Sequence, residues 1–248
     1  MAEFDQQRMG AGAATRAADL DEGLRTYMLR VYNYMALGVA FTAGVTLFLG
    51  ANPELMAAIA LGPMKWVLFA GVLGLGWFAP KLIFSNAGST TLAHVCYWTY
   101  AGLWGLLISP MIYAFMNIPN GPGMIAQAFL ITSVMFGATS LYGYTTKRDL
   151  SAFGRFFFMA SVGLIVALLA NAFIFQSIGF SFVISAIVVL LFAAVTAYET
   201  QMVKEIYSGG DTGVVTKQKA IFGAFALYGT FIVMFIHILN LLGIMRSE

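Results

Sequence analysis

The sequence predicts an all-α integral membrane protein of seven transmembrane helices. Composition, the lengths of its uncharged stretches and the distribution of its basic residues carry the helical, seven-span reading. Of 248 residues, 60% are hydrophobic and only 10% charged, against about 45–50% and about 25% in a soluble domain. A closed β-barrel would also satisfy every backbone group in lipid. It needs short alternating strands, however, and the apolar runs here are continuous.

The first 29 residues carry charges of both signs and no apolar core. They read as a solvated cytoplasmic tail rather than a cleaved signal peptide, leaving residues 30–245 for the helical domain. The stretches free of Asp, Glu, Lys and Arg are Val31–Pro53, Trp66–Pro80, Leu82–Thr146, Phe156–Tyr198 and Ala220–Met245. A span needs about 20 residues, so the first and last stretches hold one helix each. Leu82–Thr146 is interrupted at Asn117-Ile-Pro-Asn-Gly-Pro-Gly123, a turn-forming cluster, and holds two. Phe156–Tyr198 breaks near Gln176-Ser177-Ile178-Gly179 and also holds two. Trp66–Pro80 reaches full length once Lys81 snorkels to the interface and Leu82-Ile83-Phe84 join it. The total is seven. Ser109-Pro110 should kink the third helix, and Gly71-x-x-Gly74-x-Gly76 and Gly102-x-x-Gly105 allow close helix approach.

Orientation follows from the basic residues. With the N-terminus inside, Arg8, Arg16, Arg25, Arg30, Lys81, Lys147, Arg148, Arg155, Lys204, Lys217 and Lys219 lie on the cytoplasmic side, and only Lys65 and Arg246 lie outside. That asymmetry is the positive-inside pattern. A re-entrant last stretch would move Arg246 inside, and charge alone separates neither ending.

Several function classes are excluded or unsupported. The basic residues are accounted for by topology, so nucleic-acid binding has no support. There is no His-Glu-x-x-His and no phosphate-binding glycine loop. Gly209-Gly210-Asp211 lies in a polar connection without a membrane-embedded second aspartate. The single cysteine, Cys96, permits no intrachain disulfide. An enzyme is not expected, and neither is a cofactor.

An ionisable group inside a span is expensive and calls for a functional hypothesis. Glu199 ends the uncharged run of the sixth helix and has two readings: a functional carboxylate, or an interfacial one paired with Lys204. His94, about one turn inside the third helix, reads as a satisfied histidine. In the last helix Thr230, Val233, His237 and Asn240 fall on one face. This polar stripe marks either a water-filled path or interhelical hydrogen bonding. Lys147, Arg148, Asp149 and Arg155 have two readings: a candidate cytoplasmic gate closing the inner mouth through Glu199 or Glu205, or basic residues placed there by the positive-inside bias alone.

The run Phe136-Gly137-Ala138-Thr139-Ser140-Leu141-Tyr142-Gly143-Tyr144-Thr145-Thr146-Lys147-Arg148-Asp149-Leu150 resembles the bacterial branch of the Bax inhibitor-1 family. So do Ile108-Ser109-Pro110, Ala197-Tyr198-Glu199-Thr200-Gln201 and Leu227-Tyr228 with Phe231-Ile232 and Phe235. Together these cover roughly residues 103–243. The resemblance implies six helices around a central seventh and a passive, pH-sensitive calcium leak across the membrane. A second role implied for bacterial members is regulation without transport, by binding a membrane-protein partner such as a quality-control protease.

Members with the leak mechanism carry two aspartates that share a proton. Here the first position is Glu199 and the second is Thr230, so the dyad is broken and Glu199 remains as a weak calcium ligand. Val233 replaces a family asparagine. His237 stands where the pattern places an apolar residue, and it is a candidate for replacing the missing proton-sensing group. Its seven-residue separation from Thr230, about 10 Å of helix, weighs against that role. With these features, a bacterial inner membrane is the expected location.

Overall fold

The computed structural model describes residues 2–85 and 88–246, with side-chain surroundings from residue 22 onward. Seven helices are long and apolar enough to cross a membrane: α1 (Ala2–Gly50, its apolar part Glu22–Gly50), α2 (Met64–Phe84), α3 (Thr91–Met116), α4 (Gly121–Thr145), α5 (Ser151–Phe175), α6 (Ile178–Glu205) and α7 (Gly213–Arg246). No strand occurs among the described residues.

The breaks fall where local backbone chemistry requires them. Asn120 adopts a left-handed conformation at φ 57°, and a Cβ on the following Gly121 would overlap the Phe115 carbonyl oxygen. Only glycine fits at that position. Gln176 is left-handed at φ 48°, and the Ser177 hydroxyl then accepts from the Phe180 amide to start α6. Helix α2 runs through exposed Lys81 to Phe84, as snorkelling requires.

One boundary differs from the sequence reading, and one ending that charge left open is decided. The apolar part of α1 begins before Arg30, because Tyr27 and Met28 are already buried in the core. The tail expected over residues 1–29 therefore gives way to the packed bundle several residues early, and its side chains before residue 22 lie outside the described residues. The last helix is unbroken over 34 residues, about 50 Å at 1.5 Å per residue. A re-entrant hairpin would need an interruption, and α7 has none.

Helix α7 is the axis of the bundle: 72% of its apolar window is buried, against 28% or less for every other span. It packs against α1, α3, α4 and α6, and more lightly against α2. Helix α5 is peripheral, resting on α6 with none of its window buried. Glycines set the closest crossings. A Cβ on Gly143 would lie 2.2 Å from the Ala197 carbonyl oxygen, and one on Gly105 would lie 2.8 Å from Val45 Cβ. Gly74 and Gly76 meet nothing within 4 Å, so packing in that run falls to Gly71, which faces Leu103.

Several polar groups inside the bundle are tied across helices, since lipid offers no alternative partner. Thr42 donates to the Ala101 carbonyl at 2.9 Å and lies 2.6 Å from the Tyr228 hydroxyl, joining α1, α3 and α7. Tyr97 donates to the Tyr34 carbonyl at 2.6 Å. Tyr32, Ser140 and Thr200 form a hydroxyl chain from α1 through α4 to α6, at 2.7 and 3.0 Å.

Candidate functional site

The polar stripe of α7 faces α6. Thr230, only 3% exposed, donates from its hydroxyl to Glu199 Oε2 at 2.5 Å. Further along, His237 Nδ1 lies 3.0 Å from Ser185 Oγ, and the Asn240 amide nitrogen donates to Ser181 and Ser185 at 3.1 and 2.9 Å. Val233 packs at the edge of the main apolar core. All three polar side chains of the stripe therefore pair with α6.

The geometry separates the predicted residues into two places. Glu199 and Thr230 touch. His237 and Asn240 form a second cluster with the serines, seven or more residues away along α7, and His237 does not reach the carboxylate. Among the described residues no group of three or more His, Cys, Asp or Glu side chains converges. Calcium usually takes six to eight oxygen ligands, more than the Glu199 carboxylate and one threonine hydroxyl supply.

The expected alternative partner of Glu199, Lys204, is engaged elsewhere. Its ammonium donates to the Tyr144 carbonyl at 2.8 Å and sits 5.1 Å from that ring's centroid, satisfying the C-terminal end of α4. His94 is half-buried against Tyr34 in an edge-on ring contact.

The candidate gate differs from the expectation. Lys147, Arg148, Asp149 and Arg155 are exposed, and none forms an ion pair with Glu199 or Glu205 among the described residues. The ion pair there is Lys219 with Asp211. The reason is geometric, since Lys147, Arg148 and Asp149 sit on a surface loop and Arg155 on the exposed first turn of α5, while Glu199 points inward to α7. What fixes this loop is Gln201, which is 7% exposed. Its amide oxygen accepts from the Leu150 backbone N–H at 2.7 Å and its amide nitrogen donates to the Arg148 carbonyl at 2.8 Å. Asp149 accepts from the Ser151 backbone N–H at 2.8 Å, an Asx-type turn just before α5. Hydrogen bonding from the Ser151 side chain and backbone holds the Asp149 carboxyl below its usual range.

Sequence reasoning missed Gln201, Ser181 and Ser185. A signal existed for the serines: Ser181, Ser185, Thr196 and Glu199 fall at i, i+4, i+15 and i+18, one face of α6. Gln201 gave none, because an amide at the end of a span reads as solvated.

A seven-helix bundle with a buried central C-terminal helix and a carboxylate bonded to it is the setting in which comparison with known proteins becomes informative. The family described as inhibitor of apoptosis-promoting Bax1 matches residues 24–247, and the chain belongs to this Bax inhibitor-1 family. The match takes in the first helices as well as the motif-bearing region from residue 103. The chain is 38% identical over 232 residues to a protein of Deinococcus radiodurans, covering 92% of this chain and 94% of that one. It is 37% identical over 234 residues to a Rickettsia prowazekii protein, covering 92% and 93%. It is also 35% identical over 228 residues to the inner membrane protein YbhL of Escherichia coli, covering 89% and 92%. None of these relatives carries a catalytic name.

Proposed function

We propose that this multi-pass membrane protein is a passive cation leak, with calcium the favoured ion, whose conduction depends on Glu199 and responds to pH. The observation that carries the reading is the Glu199–Thr230 hydrogen bond, a membrane-embedded carboxylate locked onto the central helix. An acidic group within a span attracts cations in a low-dielectric surrounding, and here one hydroxyl hydrogen bond ties it to α7. The broken acidic dyad makes calcium affinity and pH response weaker than a pair of carboxylates would give. The basic face, bearing Arg25, Lys81, Lys147, Arg148, Arg155, Lys204, Lys217 and Lys219, is placed in the cytoplasm by the positive-inside pattern. The membrane is the bacterial inner membrane, by analogy with the E. coli relative's name.

A second reading is favoured by a different observation. Thr230, His237 and Asn240 all spend their polar atoms on α6, while α5 contributes no buried residue to the bundle. A closed α6–α7 seam with a helix left outside suits a non-transporting regulator that binds another membrane protein, such as a quality-control protease.

The experiment that separates them is calcium entry into dye-loaded proteoliposomes, alongside purification in mild detergent. Flux lost in Glu199→Gln supports the leak. Absent flux with a stoichiometric co-purifying membrane protein supports the regulator.

A further inference from the structure

Helices α1 and α4 both pack along α7, yet they form no helix pair with each other. Between them lies a crevice of about 560 Å³, walled by Met28 and Leu29 on one side and Phe136, Gly137 and Leu141 on the other. Leu29 and Leu141 are 54% and 64% exposed, so the crevice opens sideways, at the depth of both spans, toward the surrounding lipid. Its floor is the Tyr32–Ser140 hydrogen bond, which bridges the gap. Arg25 stands at its end nearest the basic face. That guanidinium is exposed and forms no ion pair among the described residues.

We propose that this crevice binds one anionic phospholipid, an acyl chain lying along Phe136 and Leu141 and the headgroup phosphate against Arg25. Two features select the occupant. The walls are apolar and accessible from the bilayer, which suits a hydrocarbon chain. A free cation one helical turn from the apolar wall, on the face carrying most of the basic residues, suits a negative headgroup at that interface. Gly137 keeps the slot open, since a Cβ there would meet nothing within 4 Å. The bound chain would cover the Tyr32–Ser140–Thr200 hydroxyl chain from the lipid side, one residue from Glu199.

The test is native mass spectrometry of the full chain released from nanodiscs containing equal phosphatidylglycerol and phosphatidylcholine. The wild type should retain one phosphatidylglycerol in preference to phosphatidylcholine. Arg25→Gln should reduce that preference about fivefold, the effect of one interfacial cation. Gly137→Leu extends a side chain into the slot from a Cβ position that meets no atom within 4 Å, so the bundle should fold normally, as a thermal melt checks, and the retained lipid should be lost whatever its headgroup. Absence of retained lipid in the wild type would overturn the proposal. So would an unchanged preference in Arg25→Gln, undiminished retention in Gly137→Leu, or a second copy of the chain in place of lipid.

Discussion

Removing the Thr230 hydroxyl while keeping the side chain's shape isolates the bond that joins the site's two residues. Thr230→Val is close to isosteric, and the position is only 3% exposed. The Glu199 oxygen 2.5 Å away then loses its described hydrogen-bond donor. For an ionised carboxylate such a bond is worth about 1.5–3 kcal/mol, whereas neutral interhelical bonds within membranes average about 0.6 kcal/mol. Thr230→Ser keeps the donor and loses one buried methyl, worth about 0.8 kcal/mol. The order of stability should therefore be wild type, then Ser, then Val if the carboxylate carries its charge. With a neutral carboxyl, Ser and Val should fall close together. Reversible unfolding in mixed detergent micelles gives both differences, and Glu199→Leu, which removes the acceptor, in each background completes a double-mutant cycle. A coupling between positions 199 and 230 below about 0.3 kcal/mol would refute the claim that this hydrogen bond holds α6 to α7.

Three further outcomes follow from other contacts. Gln201→Leu strands the Leu150 N–H and the Arg148 carbonyl, so it should cost about 1–3 kcal/mol and speed hydrogen exchange at residues 148–151; unchanged exchange there would count against the clamp. Gly143→Val forces a side chain onto the Ala197 backbone and should lower stability by at least about 1–3 kcal/mol, whereas Gly137→Ala should be neutral or stabilising by up to about 1 kcal/mol, both read by thermal melting. Because hydrogen bonds hold the Asp149 carboxyl low in the folded chain, its turn persists down through the ordinary carboxylate range near pH 4. Amide protection at Ser151 should decline only as pH falls below that range, and Asp149→Asn should remove this pH dependence.

How much was legible depends on the range over which each signal acts. Helix number and breaks were readable because apolar length and local turn chemistry decide them. Asn120 and Gln176 take left-handed conformations inside the two clusters that sequence marks as turns. The centrality of α7 came from family resemblance, and burial bears it out. The stripe on α7 could be placed on one face, but its partners could not, since Ser181 and Ser185 in an apolar run are indistinguishable from small packing residues. The proximity of Glu199 and Thr230 likewise came from the resemblance, because no periodicity relates residues on two helices. The loop's basic residues suggested a gate by charge, yet the loop is held by Gln201 through backbone atoms, which sequence patterns do not display.

The central claim is that Glu199, held by Thr230, governs cation passage through the bundle. Its most direct test is calcium entry into proteoliposomes at about pH 6 and about pH 8, a pair of values that straddles histidine titration, for the wild type, Glu199→Gln and Thr230→Asp. Flux in the wild type, lost in Glu199→Gln and made more pH-sensitive in Thr230→Asp, is the predicted result. No flux in the wild type, with flux appearing only in Thr230→Asp, would contradict it and identify a bundle whose pathway is closed.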